Sequence, residues 1–96
     1  MEILQWMQKW FNEQCNSDWE HSYGISIETA DNPGWVIIID LNETPWEKLS
    51  VDVGTIESSS TDWYYYKIEN GKFKAGGDSN KLIFLLEKFR DIVEKC

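Results

Sequence analysis

The chain's only histidine lies in the run Asp18-Trp19-Glu20-His21. Two carboxylates and an imidazole within four residues could supply a general acid, a general base and an activator for a nucleophile. They could also hold a divalent ion weakly. Both chemistries need more than the run contains. Zinc wants three or four N, S or O ligands in defined geometry, and one imidazole is available. Catalytic groups converge from several elements, whereas along an extended segment Asp18 and Glu20 point one way and His21 the other. No second histidine exists to complete a dyad. The GxSxG, HExxH and P-loop patterns are absent. Asp31-Asn32 runs into Pro33-Gly34 rather than into spaced calcium ligands. Gly76-Gly77 lacks the strand–GxGxxG–helix setting that cradles phosphate. No cofactor and no metal is expected. A plainer reading stands beside the chemical one: Asp18 accepts hydrogen bonds from a turn, Trp19 plugs the core, and His21 is a polar residue at a strand start. A small enzyme using Asp18, Glu20 and His21 is the rival to a binding role.

The elements that must position these residues follow from periodicity. In residues 2–15, Ile3, Met7, Trp10 and Gln14 recur at helical spacing, and Leu4 and Phe11 widen the stripe. Asn16, Ser17 and Asp18 end that helix with turn-forming side chains. Tyr23 to Thr29 alternates as a half-buried strand does. Asp31-Asn32-Pro33-Gly34 is a turn, and Trp35 to Leu41 is a nearly unbroken apolar run that belongs inside a sheet. Leu49 to Glu57 alternates again, and Ser58 to Thr61 is a polar turn. Asp62 to Glu69 carries aromatics on both faces. Asn70-Gly71 predicts a tight hairpin, with Lys72 to Ala75 returning as a short edge strand whose lysines face solvent. Gly76-Gly77 breaks the pattern, Asp78 or Ser79 caps a second helix, and Leu82, Leu85, Leu86, Phe89, Ile92 and Val93 form its apolar stripe.

The order predicts one α+β domain over residues 1–96. It has an antiparallel sheet of four or five strands, with an N-terminal and a C-terminal helix on the same face. The other sheet face is then open. It is lined by some of Ser26, Glu28, Asp40, Asp52 and either Trp63 with Tyr65 or Tyr64 with Tyr66; register decides which.

Composition narrows the partners. Nine basic residues against 17 acidic give a net charge of −8. Such a surface repels phosphate and anionic lipid, so neither nucleic acid nor a membrane is expected as a direct partner. A basic protein would be steered toward it. Six Trp, four Tyr and four Phe are more than a core of this size hides easily, and exposed aromatics are enriched at interfaces. Trp platforms beside carboxylates can also hold sugars. Self-association through exposed aromatics is a further alternative, and the oligomeric state stays open. Cys15 and Cys96 make neither a disulfide framework nor a zinc pattern and are read as reduced and structural. The start lacks a secretory pattern and no run is long enough to span a bilayer, so the cytoplasm is the expected location.

One further feature is a resemblance. Trp10, Gln14-Cys15 and Asp18-Trp19-Glu20-His21 lead into Tyr23-Gly24-Ile25, then Thr29, Asp31-Asn32-Pro33-Gly34-Trp35 and Ile39-Asp40-Leu41. This series resembles the bacterial immunity protein 53 family over residues 6 to 44. Asp62-Trp63, Gly71-Lys72-Phe73 and Gly76-Gly77 are similar but less distinctive. Two positions depart: Ser17 stands where the family pattern leads us to expect Gly, and Ala30 where it leads us to expect Leu. The resemblance implies a cytoplasmic immunity protein without catalysis of its own. It would neutralise a cognate toxin domain; separately, the net charge of −8 suits a toxin with a basic cleft, as in a nuclease, where carboxylates imitate phosphates. The concentration of polar and Trp residues at the helix–strand junction leads us to expect that Asp18, Glu20 and His21 supply polar contacts, that Trp19 or Trp63 is an apolar anchor, and that the run joins the Trp35 turn and the open face, with Asp40 and Asp52, in one acidic, aromatic surface.

Overall fold

The computed structural model describes residues 2–95. Cys96 lies outside the described residues. Elements run α1 (Glu2–Gln14), α2 (Trp19–Ser22), β1 (Ile25–Ala30), β2 (Gly34–Asp40), β3 (Val51–Ser59), β4 (Asp62–Glu69), β5 (Lys72–Asp78) and α3 (Leu82–Lys95). The five strands form one antiparallel sheet in the order β1-β2-β5-β4-β3.

Helix α1 buries Ile3, Met7 and Trp10, and α3 buries Leu85, Leu86 and Phe89. Both stripes meet on one side of the sheet. The Phe89 ring stands 5.1 Å from those of Trp10 and Phe73, joining α1, α3 and β5 in one core. Ile37 and Ile39 of β2, Phe73 and Ala75 of β5, and Ile68 of β4 complete it. The two helices therefore share a face, as expected.

The expected edge position of Lys72 to Ala75 is corrected. β5 is the central strand, paired with β2 from Gly34↔Asp78 to Asp40↔Lys72 and with β4 from Tyr64↔Gly77 to Glu69↔Lys72. Nor do Gly76-Gly77 break the sheet; the strand continues to Asp78. Alternation explains it. Phe73 and Ala75 face the helices, while Lys72 and Lys74 lie on the opposite face, where their stems cover sheet and their ammonium groups reach water. Asn70 and Gly71 both have positive φ, 54° and 74°, which is the geometry that twists a two-residue hairpin correctly.

The two edges differ. β3 shifts register twice against β4, between Val53 and Ile56 and between Glu57 and Ser59, so it carries bulges that spoil further pairing. β1 pairs with β2 without interruption over six residues.

Candidate functional site

Register divides the sheet residues cleanly. Paired residues share a face, so Ser26, Glu28, Val36, Ile38, Asp40, Asp52, Trp63 and Tyr65 lie on the side away from the helices. Tyr64 and Tyr66 are on the helix side, where Tyr64 packs edge-on against Phe84 at 4.7 Å. Among the described residues no helix covers the first set, and Trp63, Tyr65, Val36 and Ile38 remain partly exposed.

At the centre of this open face, Tyr65 lies across Gly76. A Cβ at Gly76 would stand 2.6 Å from the Tyr65 ring, so the absent side chain is what lets the ring lie flat on the neighbouring strand. Trp63 follows at the end of β4. Its backbone N–H donates to Asp78 Oδ2 at 3.0 Å. Asp78 is buried and also accepts from the Asn80 N–H at 2.9 Å and from Lys81 Nζ at 2.8 Å. Lys81 also bonds Asp62 at 2.7 Å. The Lys81 ammonium, followed by the Asn80 and Trp63 amides, draws the Asp78 carboxyl down to about 2. Beside Trp63 a groove of about 330 Å³ is bounded by Asn32, Thr55, Glu57 and Ser60.

The other end of the face is charged. Asp40 Oδ2 accepts the Gly24 N–H at 2.9 Å, and the Asp40 carboxylate pairs with Lys72. Lys67 pairs with Glu69 at 2.9 Å, which raises the lysine pKa and lowers the glutamate's. Beside the expected acidic and aromatic residues the face carries cations: Lys67, Lys72 and Lys74 run through its middle, and the carboxylates of Glu28, Asp52 and Glu57 rim it. Lys72 and Lys74 reach the face because β5 is central rather than an edge, and Lys67 stands beside them through its pairing with Lys74.

The Asp18–His21 run is placed differently from the sequence expectation. It does not start a strand. Asp18 precedes the single helical turn α2, which begins at Trp19. Asn16 Oδ1 accepts the N–H groups of Asp18 and Trp19 at 3.0 and 2.8 Å. In return Glu20 accepts the N–H groups of Asn16 and Ser17 at 2.9 and 3.0 Å. This reciprocal arrangement is a capping box stretched by one residue. The Glu20 carboxyl is held below its ordinary range, first by its own N–H and then by those of Asn16 and Ser17. Ser17 takes φ +81°, a left-handed conformation, which supplies the physical reason for glycine at that position.

Trp19 as a partner anchor is corrected. It is 2% exposed, donates Nε1–H to the Asn42 carbonyl at 2.9 Å, and packs on Trp10, Phe11 and Tyr23. Asp18 and His21 are exposed beside it. Trp35 falls on the helix side of β2 and donates Nε1–H to the Ser79 carbonyl at 3.0 Å. The single surface is corrected too. α2 adjoins Gly24, Asp40 and Asn42, whereas the turn before Trp35 adjoins Asp78 at the far end of β2, about 20 Å away for a seven-residue strand. Asp40, Asp52 and Trp63 do share the open face.

The arrangement defines an α+β domain with a one-sided sheet. Among the described residues no three His, Cys, Asp or Glu side chains gather as metal ligands, and no helix is long and apolar enough to cross a membrane. A family model described as Immunity protein 53 matches residues 4–94. The chain belongs to the immunity protein 53 family. No curated protein and no solved structure matches it.

Proposed function

We propose that this immunity protein binds and neutralises a cognate toxin domain in the cytoplasm of the producing cell, through the open face of its sheet. The observation that carries the reading is the uncovered face itself, with Trp63 and Tyr65 partly exposed on it. Aromatic side chains of few rotamers give contact area at small entropic cost and form the centres of protein interfaces. Trp63 and Tyr65 are the anchors. Val36 and Ile38 extend the apolar centre, and Glu28, Asp52 and Glu57 form an acidic rim. The net charge of −8 favours a toxin with a basic cleft, such as a nuclease, and speeds encounter at low salt. Lys67, Lys72 and Lys74 set the register by pairing with toxin carboxylates and rejecting misplaced cations.

The protein acts by binding, without a reaction of its own. The would-be acid–base group Glu20 is engaged in capping, which supports this reading. Asp18 and His21 lie outside the proposed contact.

The test is a Trp63→Ala/Tyr65→Ala variant, assayed for protection of cells expressing the toxin domain and for affinity by calorimetry. Truncating two hot-spot aromatics costs about 4 kcal/mol, roughly a thousandfold in Kd. A folded double variant that protects and binds like wild type removes the open face from the function.

A further inference from the structure

We propose that two copies of this chain pair through the outer edge of β1, joining their sheets into one ten-stranded antiparallel sheet about a two-fold axis at Ile27. Hydrogen-bond parity comes first. The Asp40 N–H donates to the Gly24 carbonyl, so in the register Ile25↔Ile39 to Ala30↔Gly34 the residues Gly24, Ser26, Glu28 and Ala30 turn their backbone groups toward β2. Ile25, Ile27 and Thr29 therefore turn theirs outward. This leaves an unbroken row of donors and acceptors with no bulge, proline or lysine to spoil it. The opposite edge, β3, has two register shifts.

The sequence of β1 complements itself with Ile27 on the axis. With Ile27 opposite Ile27 of the second copy, Ile25 meets Thr29 and Ser26 meets Glu28. All three outward-facing residues then find hydrogen-bonding partners. β-branched side chains oppose β-branched ones on the helix side. On the open side Glu28 faces a hydroxyl rather than a second carboxylate; within one chain Ser26 Oγ already lies 3.5 Å from Glu28 Oε2. Sliding by one residue toward the C-terminus puts Glu28 opposite Glu28, which disfavours that register.

The edge also carries uncovered apolar surface. Leu4 and Ile27 are 46% and 40% exposed, and with Met7, Phe11 and Ile25 they line a groove of about 520 Å³ between α1 and β1. No charged side chain lines that groove. A two-fold axis at Ile27 brings the two grooves side by side, so each copy covers the other's Ile27. Charge opposes the pairing, since each copy carries −8. That repulsion is long-range and screened, so the dimer tightens as salt rises. The open sheet faces stay uncovered and become coplanar; Glu28 is the one rim residue that the two surfaces share, and the oligomeric state is read without the toxin.

Sedimentation equilibrium from about 5 to about 500 µM, at about 0.1 and about 0.5 M salt, tests the proposal. Wild type is expected to show a monomer–dimer equilibrium that tightens with salt. Ser26→Lys places two Lys–Glu28 pairs across the axis and tightens the dimer about fivefold, whereas Ser26→Glu weakens it about as much. Ile27→Lys sets two ammonium groups against each other and leaves a monomer. A thermal melt like wild type's verifies that each variant is folded. A chain that is monomeric throughout, or a dimer indifferent to both Ser26 changes, overturns the proposal.

Discussion

Replacing Asp78 by alanine removes one buried carboxylate that ties β4, β5 and α3 together. Its oxygens accept from the Trp63 amide, the Asn80 amide and Lys81. The three partners fare differently once it is gone. Asn80 is exposed, and its amide turns to water. Lys81 keeps Asp62 at 2.7 Å, so the ammonium is not left unpaired. Trp63 is the partner that suffers, because its amide sits just beyond the last ladder pair, Tyr64↔Gly77, and the Asp78 carbonyl across from it already accepts the Lys81 N–H. A stranded donor costs about 1–3 kcal/mol, and losing charge-assisted bonds adds to it. The sum is about 3 kcal/mol, against a total stability of roughly 5–14 kcal/mol for a chain of this size. That lowers Tm by about 12–24 °C. Urea unfolding gives the free energy, and hydrogen exchange at the Trp63 amide locates the damage. A loss below about 1 kcal/mol with Trp63 protection unchanged refutes the reasoning. Asp78→Asn isolates the charge. The wild-type carboxyl has its pKa lowered from 3.8 to about 2, so its charge stabilises the fold above 3.8 and that contribution disappears as pH falls toward 2. The gap in stability between wild type and Asp78→Asn therefore closes over that window. A gap that is constant from pH 4 to pH 2 contradicts the assignment.

Two other substitutions follow from backbone geometry. Ser17→Gly relieves a left-handed residue at φ +81° whose amide bonds remain intact; it raises stability by about 0.5–1 kcal/mol net of the unfolded-state entropy of glycine, measured by urea titration, and a loss of stability contradicts it. Gly76→Ala pushes a methyl against the Tyr65 ring and costs about 1–3 kcal/mol, most of which Tyr65→Ala recovers in a double-mutant cycle; additive effects would show that the ring does not rest on Gly76.

What the sequence made legible was local. Ile3, Met7 and Trp10, and Leu85, Leu86 and Phe89, announced their helices by spacing. The Asn70-Gly71 turn and the alternation of β1 and β3 announced strands. Pairing between β2 and β5 was not legible, because more than thirty residues separate Asp40 from its partner Lys72, and neither carries a mark of the other. Placing β5 in the centre requires knowing that the loop after β2 crosses beneath it to the far edge. The open-face residues Asp40, Asp52 and Trp63 were readable as candidates, since alternation limits each strand to two faces. The role of the Asp18–His21 run was not. A tryptophan between acids looks the same on a rim as in a core, and only the Asn42 carbonyl beneath Trp19 distinguishes them.

The most direct measurement is a calorimetric titration of the proposed toxin partner, captured from a lysate of the source cells, with wild type, Trp63→Ala/Tyr65→Ala and Asp18→Ala/His21→Ala. Wild type is expected to bind with a Kd near the nanomolar range, the sheet-face variant to lose roughly a thousandfold, and the α2 variant to change by less than about threefold. The reverse pattern, with the sheet-face variant binding like wild type and the α2 variant failing, would contradict the assignment of the open face as the binding surface.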